Sequence, residues 1–229
     1  MKLDVVYEDN HIIVVVKPKK IPSQEDKTKD KDMLTIIKEY IKEKYNKPGN
    51  VYLGLVHRLD RMTEGLMVFA KTSKAASRLS ESIRIGDLKK EYLAIVYGKL
   101  DIGETKILEN YLYKDERNNI SKVVDKNKKG AKEAKLEYTV IGHTVYKGED
   151  CSYIRIKLYT GRHHQIRVQM SNIGYPLVGD VKYGKQRKED LALRAYRLSF
   201  IHPTKDEIME FKSVPKQEGL WKDLDSASC

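Results

Sequence analysis

The sequence is short of cysteine: it holds two, Cys151 and Cys229, with no Cys-x-x-Cys pair. That spacing excludes a disulfide framework and a thiolate zinc site, and it suits a reducing, cytoplasmic setting. Long apolar runs are missing too. Stretches such as Ile12 to Val16 fall far short of the roughly 20 residues that cross a bilayer, and charged residues stand from the second position onward. A soluble chain without leader or membrane anchor is expected. Acid is the scarcer charge, with 33 Asp and Glu against 44 Lys and Arg, a net charge of +11 and a pI near 9.3. Such an excess suits a polyanion, nucleic acid ahead of a membrane surface, although a lysine-rich surface can also serve solubility alone. Phenylalanine (3) and tryptophan (1) are rare while tyrosine is plentiful (15), which reads as strand and core chemistry.

What is present organises into strands and a few helices. Leu3 to Tyr7 and His11 to Val16 are β-rich runs separated by the turn formers Glu8-Asp9-Asn10, which predicts a hairpin. Lys17 to Lys31 is too polar to bury and reads as a surface loop or mobile arm, after which Asp32 can cap a helix. That helix runs from Met33 to about Tyr45, with Met33, Ile36, Ile37, Tyr40 and Ile41 on one face. A second spans Ser73 to Ile85, capped by Ser73 and stopped by Gly86, with Ala76, Leu79 and Ile83 inward. Further strands are expected at Leu66 to Ala70, Glu91 to Tyr97, Lys135 to Val145, Tyr153 to Tyr159 and Leu193 to Phe200. Asp125 to Lys132 reads as a charged hairpin tip, a solvated loop first and an RNA clamp second. There is no internal repeat. Strands and helices that do not alternate regularly point to an α+β fold, in one domain covering 1–229.

The most unusual stretch is His57-Arg58-Leu59-Asp60-Arg61-Met62-Thr63-Glu64-Gly65. If it is extended, Arg58 and Asp60 share one side, and His57 and Leu59 the other. A cation nearby keeps a carboxylate ionised when burial would protonate it. On spacing alone, an Arg-Asp pair that merely pins a loop is the favoured explanation of the run. Farther on, Gln165 to Ile173 has Ile166, Met170 and Ile173 on one helical face and Gly174 as a stop, which puts Arg167 at the edge of that face near the helix start. From there it can reach into a cleft, and a surface phosphate contact is the blander and less favoured use of such an arginine. His163 and His164 do not read as metal ligands, because adjacent side chains diverge and no carboxylate or cysteine lies at ligand spacing. Hydrogen bonds within the loop or to RNA suit them better. His11, His143 and His202 are isolated and read as structural.

Taken in order, these blocks resemble the motifs of RluA-type pseudouridine synthases. His57-Arg58-Leu59-Asp60 with Thr63, Gly65 and the strand ending Ala70-Lys71 is similar to the family's signature segment. Tyr7-Glu8-Asp9 with Val16-Lys17-Pro18 resembles its opening, and Lys90-Glu91-Tyr92 with Val96-Tyr97-Gly98 its second motif. Thr160 to Arg167, running on to Gly174, Pro176, Gly179-Asp180 and Tyr183-Gly184, resembles the third, and Leu193 to Pro203 the closing strand. The likeness covers about residues 3 to 215.

The resemblance implies a pseudouridine synthase fold: a mixed, mostly antiparallel sheet flanked by helices and loops, with a central RNA-binding cleft. It implies Asp60 as the catalytic carboxylate, Tyr92 as the tyrosine that stacks on the target base, and Arg167 as the partner of Asp60. Leu193 would floor the base, Arg58 would fill the gap left by the flipped nucleotide, and His57, Arg162, His164 and Gln165 would contact RNA. The implied reaction isomerises uridines in structured ribosomal or transfer RNA, without cofactor or metal, and a monomer is expected. Glu64 stands where the family carries a small residue, and Arg194 where it often has histidine. The chain enters the opening segment by Leu3, so no separate N-terminal RNA-binding domain is expected. A non-catalytic RNA-binding protein on this fold would explain the charge but not the joint presence of Asp60, Tyr92 and Arg167. A nucleoside glycosidase would need a second carboxylate or a metal to activate water, and only Glu64 is near.

Overall fold

Backbone hydrogen bonding between strands organises most of this chain, and helices are few. A computed structural model describes residues 2–184 and 190–225, so Cys229 lies outside the described residues. In chain order the elements are β1 (Asp4–Glu8), β2 (Ile12–Lys17), α1 (Met33–Lys44), β3 (Gly54–Leu55), β4 (Glu64–Ala70), α2 (Ser73–Arg84) and β5 (Lys89–Tyr97). There follow β6 (Thr105–Asp115), β7 (Ile120–Val124), β8 (Lys132–Tyr146), β9 (Glu149–Leu158), α3 (Gln165–Asn172), β10 (Leu193–Ile201) and β11 (Ile208–Lys212). This is the α+β class expected, with mostly antiparallel pairing. Two compact units are present, Met1–Lys90 with Ala195–Ser213, and Glu91–Arg194 with Val214–Cys229.

In the first unit the strand order is β1-β2-β4-β10-β11, with β3 also on β4. Ile12, Val14, Leu66, Val68 and Ala70 form one buried face, closed by Ala75 and Leu79 of α2. The alternate residues Ile13, Val15, Met67 and Phe69 are equally buried, so these strands are covered on both sides. Each such side chain stabilises the fold by about 1.5–3 kcal/mol before conformational entropy is subtracted. Asp32 caps α1 as expected, accepting from Thr35 N at 3.1 Å. The cap of α2 is Thr72 rather than Ser73, which is the first helical residue, and Ala75 rather than Ala76 is the fully buried alanine. Glu8 belongs to β1 and not to the turn; its carboxylate binds Lys71 and Lys44 at 2.6 and 2.7 Å, and these cations hold it down at about 2 against the opposing effect of burial. Asp9 closes the turn by accepting from His11 N and Ile12 N, and it also pairs with the buried His202. His143 likewise has a structural bond, to Leu100 O at 2.6 Å.

The polar segment after β2 departs from expectation. Lys17 is fully buried, and Pro22 and Ser23 are buried with it; Lys20 is exposed, but the continuous exposed stretch starts at Gln24. Composition misleads here because a lysine can be buried once its N–H groups find acceptors.

In the second unit the order is β5-β9-β8-β6-β7, with every pairing antiparallel. β6 lies between β7 and β8, so residues 125–131 are not a hairpin tip but a crossover over β6. Lys128 Nζ lies 4.5 Å from the centre of the Tyr113 ring, and Gly130 passes close to the same ring. β6 and β11 escaped the sequence reading because their side chains stay largely exposed: Leu112 is the only buried residue of β6. On one side of this sheet Leu112 and Ala134 pack with Val168 of α3, joined by Val123 and Tyr183.

Gly65 illustrates how closely the first unit is packed. Its φ is +124°, and a Cβ there would sit 2.2 Å from the Ala195 carbonyl oxygen, a backbone atom with little freedom to move. Gly65→Ala is therefore expected to cost about 3 kcal/mol or more, a loss on the order of 6–12 °C in melting temperature for a chain of this size. A thermal melt matching the wild type would contradict that packing.

Candidate active site

The run from His57 to Asp60 alternates as an extended segment should. His57 and Leu59 are buried, Arg58 is exposed, and Asp60 is partly exposed. Ser23 fixes the backbone from below: Leu59 N donates to Ser23 Oγ at 3.1 Å, and Ser23 Oγ donates to Leu59 O at 2.8 Å. Thr63 N donates to Asp60 O at 3.0 Å, which turns the chain directly after the acid and into β4. His57 looks inward, its Nε2 accepting from Val68 N at 3.1 Å. The proton therefore sits on Nδ1, which has no hydrogen-bond partner among the described residues. Burial, helped by Lys90, pushes this imidazole down to about 3, so it is neutral at physiological pH.

Arg61 anchors the same turn twice. Its carbonyl accepts from Lys20 N at 2.9 Å and from the buried Lys17 Nζ at 3.1 Å. Lys17 Nζ also donates to Pro18 O at 2.9 Å and Ile21 O at 2.7 Å. Three carbonyls match the three N–H groups of an ammonium. Burial pushes Lys17 down to about 7, with Asp60 and Glu64 pulling it back up. The Arg61 guanidinium, half-exposed, binds Thr28 Oγ1 at 2.9 Å and the carboxylates of Asp30 and Asp26.

The second unit carries the remaining expected residues. Tyr92 is 6% exposed in β5, opposite Ile156, and Leu193 is 4% exposed at the start of β10. Arg167, 5% exposed in α3, makes a two-bond fork to Asp180: Nε to Oδ2 and Nη2 to Oδ1, both 2.7 Å. Gln165 is committed to the loop before it, since its Oε1 accepts from Thr160 Oγ1 and Arg162 N, and its Nε2 donates to Lys135 O. Arg162 is exposed and uses Nε on Glu133 O at 2.7 Å. His163 and His164 stack at 3.7 Å. His163 Nδ1 meets Ser121 Oγ at 3.0 Å and His164 Nδ1 meets the Tyr183 hydroxyl at 2.8 Å. Burial, with the cations Lys114, Lys182 and Arg167 close by, pushes them down to about 4 and about 2, so both rings are neutral. Among the described residues no group of three or more His, Cys, Asp or Glu stands ready to hold a metal ion, and no helix is long and apolar enough to cross a membrane.

His57, Arg58 and Asp60 thus share one fixed turn in the first unit, and Arg162, His164, Gln165 and Arg167 share one loop and helix start in the second. His57 and Gln165 are spent on internal hydrogen bonds, which alters how they can serve RNA. Lys17, Asp180 and Tyr183 stand within the motifs, and the resemblance implies no role for them. Their partners are Arg61 O, Arg167 and His164, separated from them along the chain by loops and whole elements, so local spacing gave no signal.

The fold, a mostly antiparallel sheet with three α-helices among the described residues, and a strongly basic chain frame the comparison with known proteins. Residues 11–172 match the family model described as RNA pseudouridylate synthase, and the chain belongs to that family. It is 32% identical over 240 residues to the ribosomal large subunit pseudouridine synthase D of Pseudomonas aeruginosa, covering 96% of this chain and 71% of that protein. It is 34% identical over 222 residues to the uncharacterized RNA pseudouridine synthase YjbO of Bacillus subtilis, covering 94% and 74%. Among solved structures, Human RNA Pseudouridylate Synthase Domain Containing 1 superposes with a TM-score of 0.74 over 93% of this chain and 84% of that one, at 24% identity. That likeness carries the fold.

The buried lysine gives the turn a pH signature. The folded-state pKa of Lys17 lies below its unfolded value near 10.4, so between about pH 7 and pH 10 the unfolded chain binds more protons and folding on this account strengthens as pH rises. In urea titrations the stability difference between wild type and Lys17→Met should shift toward the wild type from pH 7 to pH 10. An identical difference at both pH values would show that Lys17 titrates normally.

Proposed function

We propose that the chain isomerises a uridine within ribosomal RNA, with Asp60 as the carboxylate that acts at the sugar C1′. The family supports the reaction class, and the names of its relatives favour ribosomal over transfer RNA. The observation that carries the assignment is the Asp60 turn. Buried Ser23 and Lys17 fix the backbone on either side of the acid while leaving Asp60 itself partly exposed.

The reaction consumes no water and needs no oxidant. The C1′–N1 bond breaks with its electron pair leaving on uracil, while Asp60 attacks C1′ or stabilises the positive character that develops there. The uracil turns, the electrons of its C5–C6 double bond form the C1′–C5 bond and displace the Asp60 carboxylate from C1′ where it had bonded there, C5 gives up its proton, and N1 takes one. Between the two bond events the base is detached, so water has to be kept out. A uridine stacked in a helix is out of reach of such a group and must be flipped; Tyr92 offers a face for stacking and a phenol for moving the proton. Arg167 supplies positive charge to the anionic groups of the reaction, and Leu193 an apolar surface for the base. Arg58, exposed beside the acid, suits the space that the flipped nucleotide vacates. His57, Gln165 and the buried His164 act by holding their own loops, and Arg162, which is exposed, remains the polar group of this set to meet RNA.

Two outcomes test this reading. Asp60→Asn should leave the fold and RNA affinity within about twofold of wild type while pseudouridine formation falls below detection; sustained turnover by a clean, folded variant would refute the assignment. RNA affinity should also fall steeply with salt, and Lys126, Lys128 and Lys129, which make no ion pair among the described residues, should contribute. Replacing these three by glutamine is expected to flatten the slope of log affinity against log salt by on the order of 1–3, and an unchanged slope would remove the 125–131 crossover from the RNA-binding surface.

A further inference from the structure

Arg167 is surrounded by more structure than a phosphate contact needs. Its side chain is buried, and the carboxylate of Asp180, wholly buried, grips it side-on through Nε and Nη2. A guanidinium is planar, so a fork on one edge fixes the rotation of the whole group and turns the other edge, with Nη1, away from the carboxylate. The ring of Tyr183 lies against the guanidinium, 5.2 Å from its carbon to the ring centre, and closes off motion out of the plane.

Each member of this vice is itself held. Asp180 Oδ1 accepts from Lys182 N at 2.9 Å and Tyr183 N at 3.1 Å, bonds that set the carboxylate before the arginine meets it. Tyr183 is secured at three points: its N–H on Asp180, its carbonyl by Ser171 Oγ of α3 at 2.6 Å, and its hydroxyl between two partners. That hydroxyl accepts from Ser121 N at 2.6 Å, so its own proton goes to His164 Nδ1 at 2.8 Å. Ser121 Oγ donates to His163 O at 2.8 Å and therefore accepts from His163 Nδ1 at 3.0 Å. The chain of bonds joins β7, the loop before α3, and the turn carrying Asp180 into one polar network. Gly179, at φ +76°, has the Asp190 carbonyl oxygen 2.2 Å from where a Cβ would be, which fixes the backbone next to Asp180.

We propose that Asp180 and Tyr183 are positioning residues for the isomerisation: they touch no substrate atom and act by orienting the Arg167 guanidinium. This rests on the reading that Arg167 takes part in the reaction. A pair needed only to neutralise a buried charge would require the fork alone, whereas the wall, the shared N–H bonds and the anchored hydroxyl define an orientation. Displacing a reacting group by about 1 Å is enough to cost on the order of 100-fold in rate.

The test is a mutant cycle read in single-turnover kinetics and in RNA affinity, on the full chain with an RNA that the wild type modifies. Asp180→Asn should lower the rate on the order of 100-fold with affinity within about twofold, and Asp180→Glu should recover part of the loss. In an Arg167→Lys background the Asp180→Asn change should add less than about twofold, because the group it positions is already gone. Should Asp180→Asn fail to fold, Tyr183→Phe keeps the ring and removes only the hydroxyl; a loss of about 10-fold in rate at near-wild-type melting temperature, again absorbed by Arg167→Lys, gives the same answer. A folded Asp180→Asn or Tyr183→Phe protein with wild-type rate, while Arg167→Lys is impaired, overturns the positioning role alone. Losses that multiply in the double variants do the same. Wild-type rate in Arg167→Lys overturns the underlying role of the arginine instead.

Discussion

A cation taken out of water must find an acceptor for its N–H groups or lose its charge, and that constraint shapes both units of this chain. In the first, Lys17 Nζ gathers the carbonyls of Pro18, Ile21 and Arg61. In the second, Arg167 gathers Asp180, and Asp180 in turn gathers the backbone of Lys182 and Tyr183. Leaving either cation unmet would cost several kcal/mol, so the loops around them have few alternative conformations. The loops that carry the expected chemistry are therefore rigid for an electrostatic reason, although they are not part of any ladder of strand hydrogen bonds.

This rigidity is selective. The atoms that hold the loops face inward: Ser23 Oγ, Lys17 Nζ, His57 Nε2, Gln165 and Asp180 are all buried. Arg58, Arg162 and part of Asp60 remain outside. Charge on the outer surface is treated differently. Many exposed lysines are paired, as Lys106 is with Glu104 and Lys135 with Glu109, and such pairs stabilise little. The lysines of the 125–131 crossover lack such carboxylate partners among the described residues, which leaves their field available to a polyanion.

Much of the candidate site was legible beforehand, and the reason is local. His57 to Asp60 alternates because an extended chain must, and Asp32 and Gly174 mark helix ends through backbone rules that act over a few residues. What escaped is equally instructive. Thr72 displaced Ser73 as a cap because both can serve and only the backbone path chooses. β6 was hidden because a strand with one buried residue shows no apolar alternation. The crossover was misread as a hairpin because the residues between β7 and β8 look the same whether or not another strand lies between them.

By itself the sequence determined the class of the fold and the family, because motif order, charge and periodicity are properties of the chain read in line. The tertiary structure decided what the motif residues are free to do. It committed His57 and Gln165 to their own loops, buried Lys17 beneath the Asp60 turn, and brought Asp180 and Tyr183 to Arg167. Hydrogen bonds and burial depend on which atoms meet in space, and a guanidinium and a carboxylate thirteen residues apart meet only once the whole unit has folded around them.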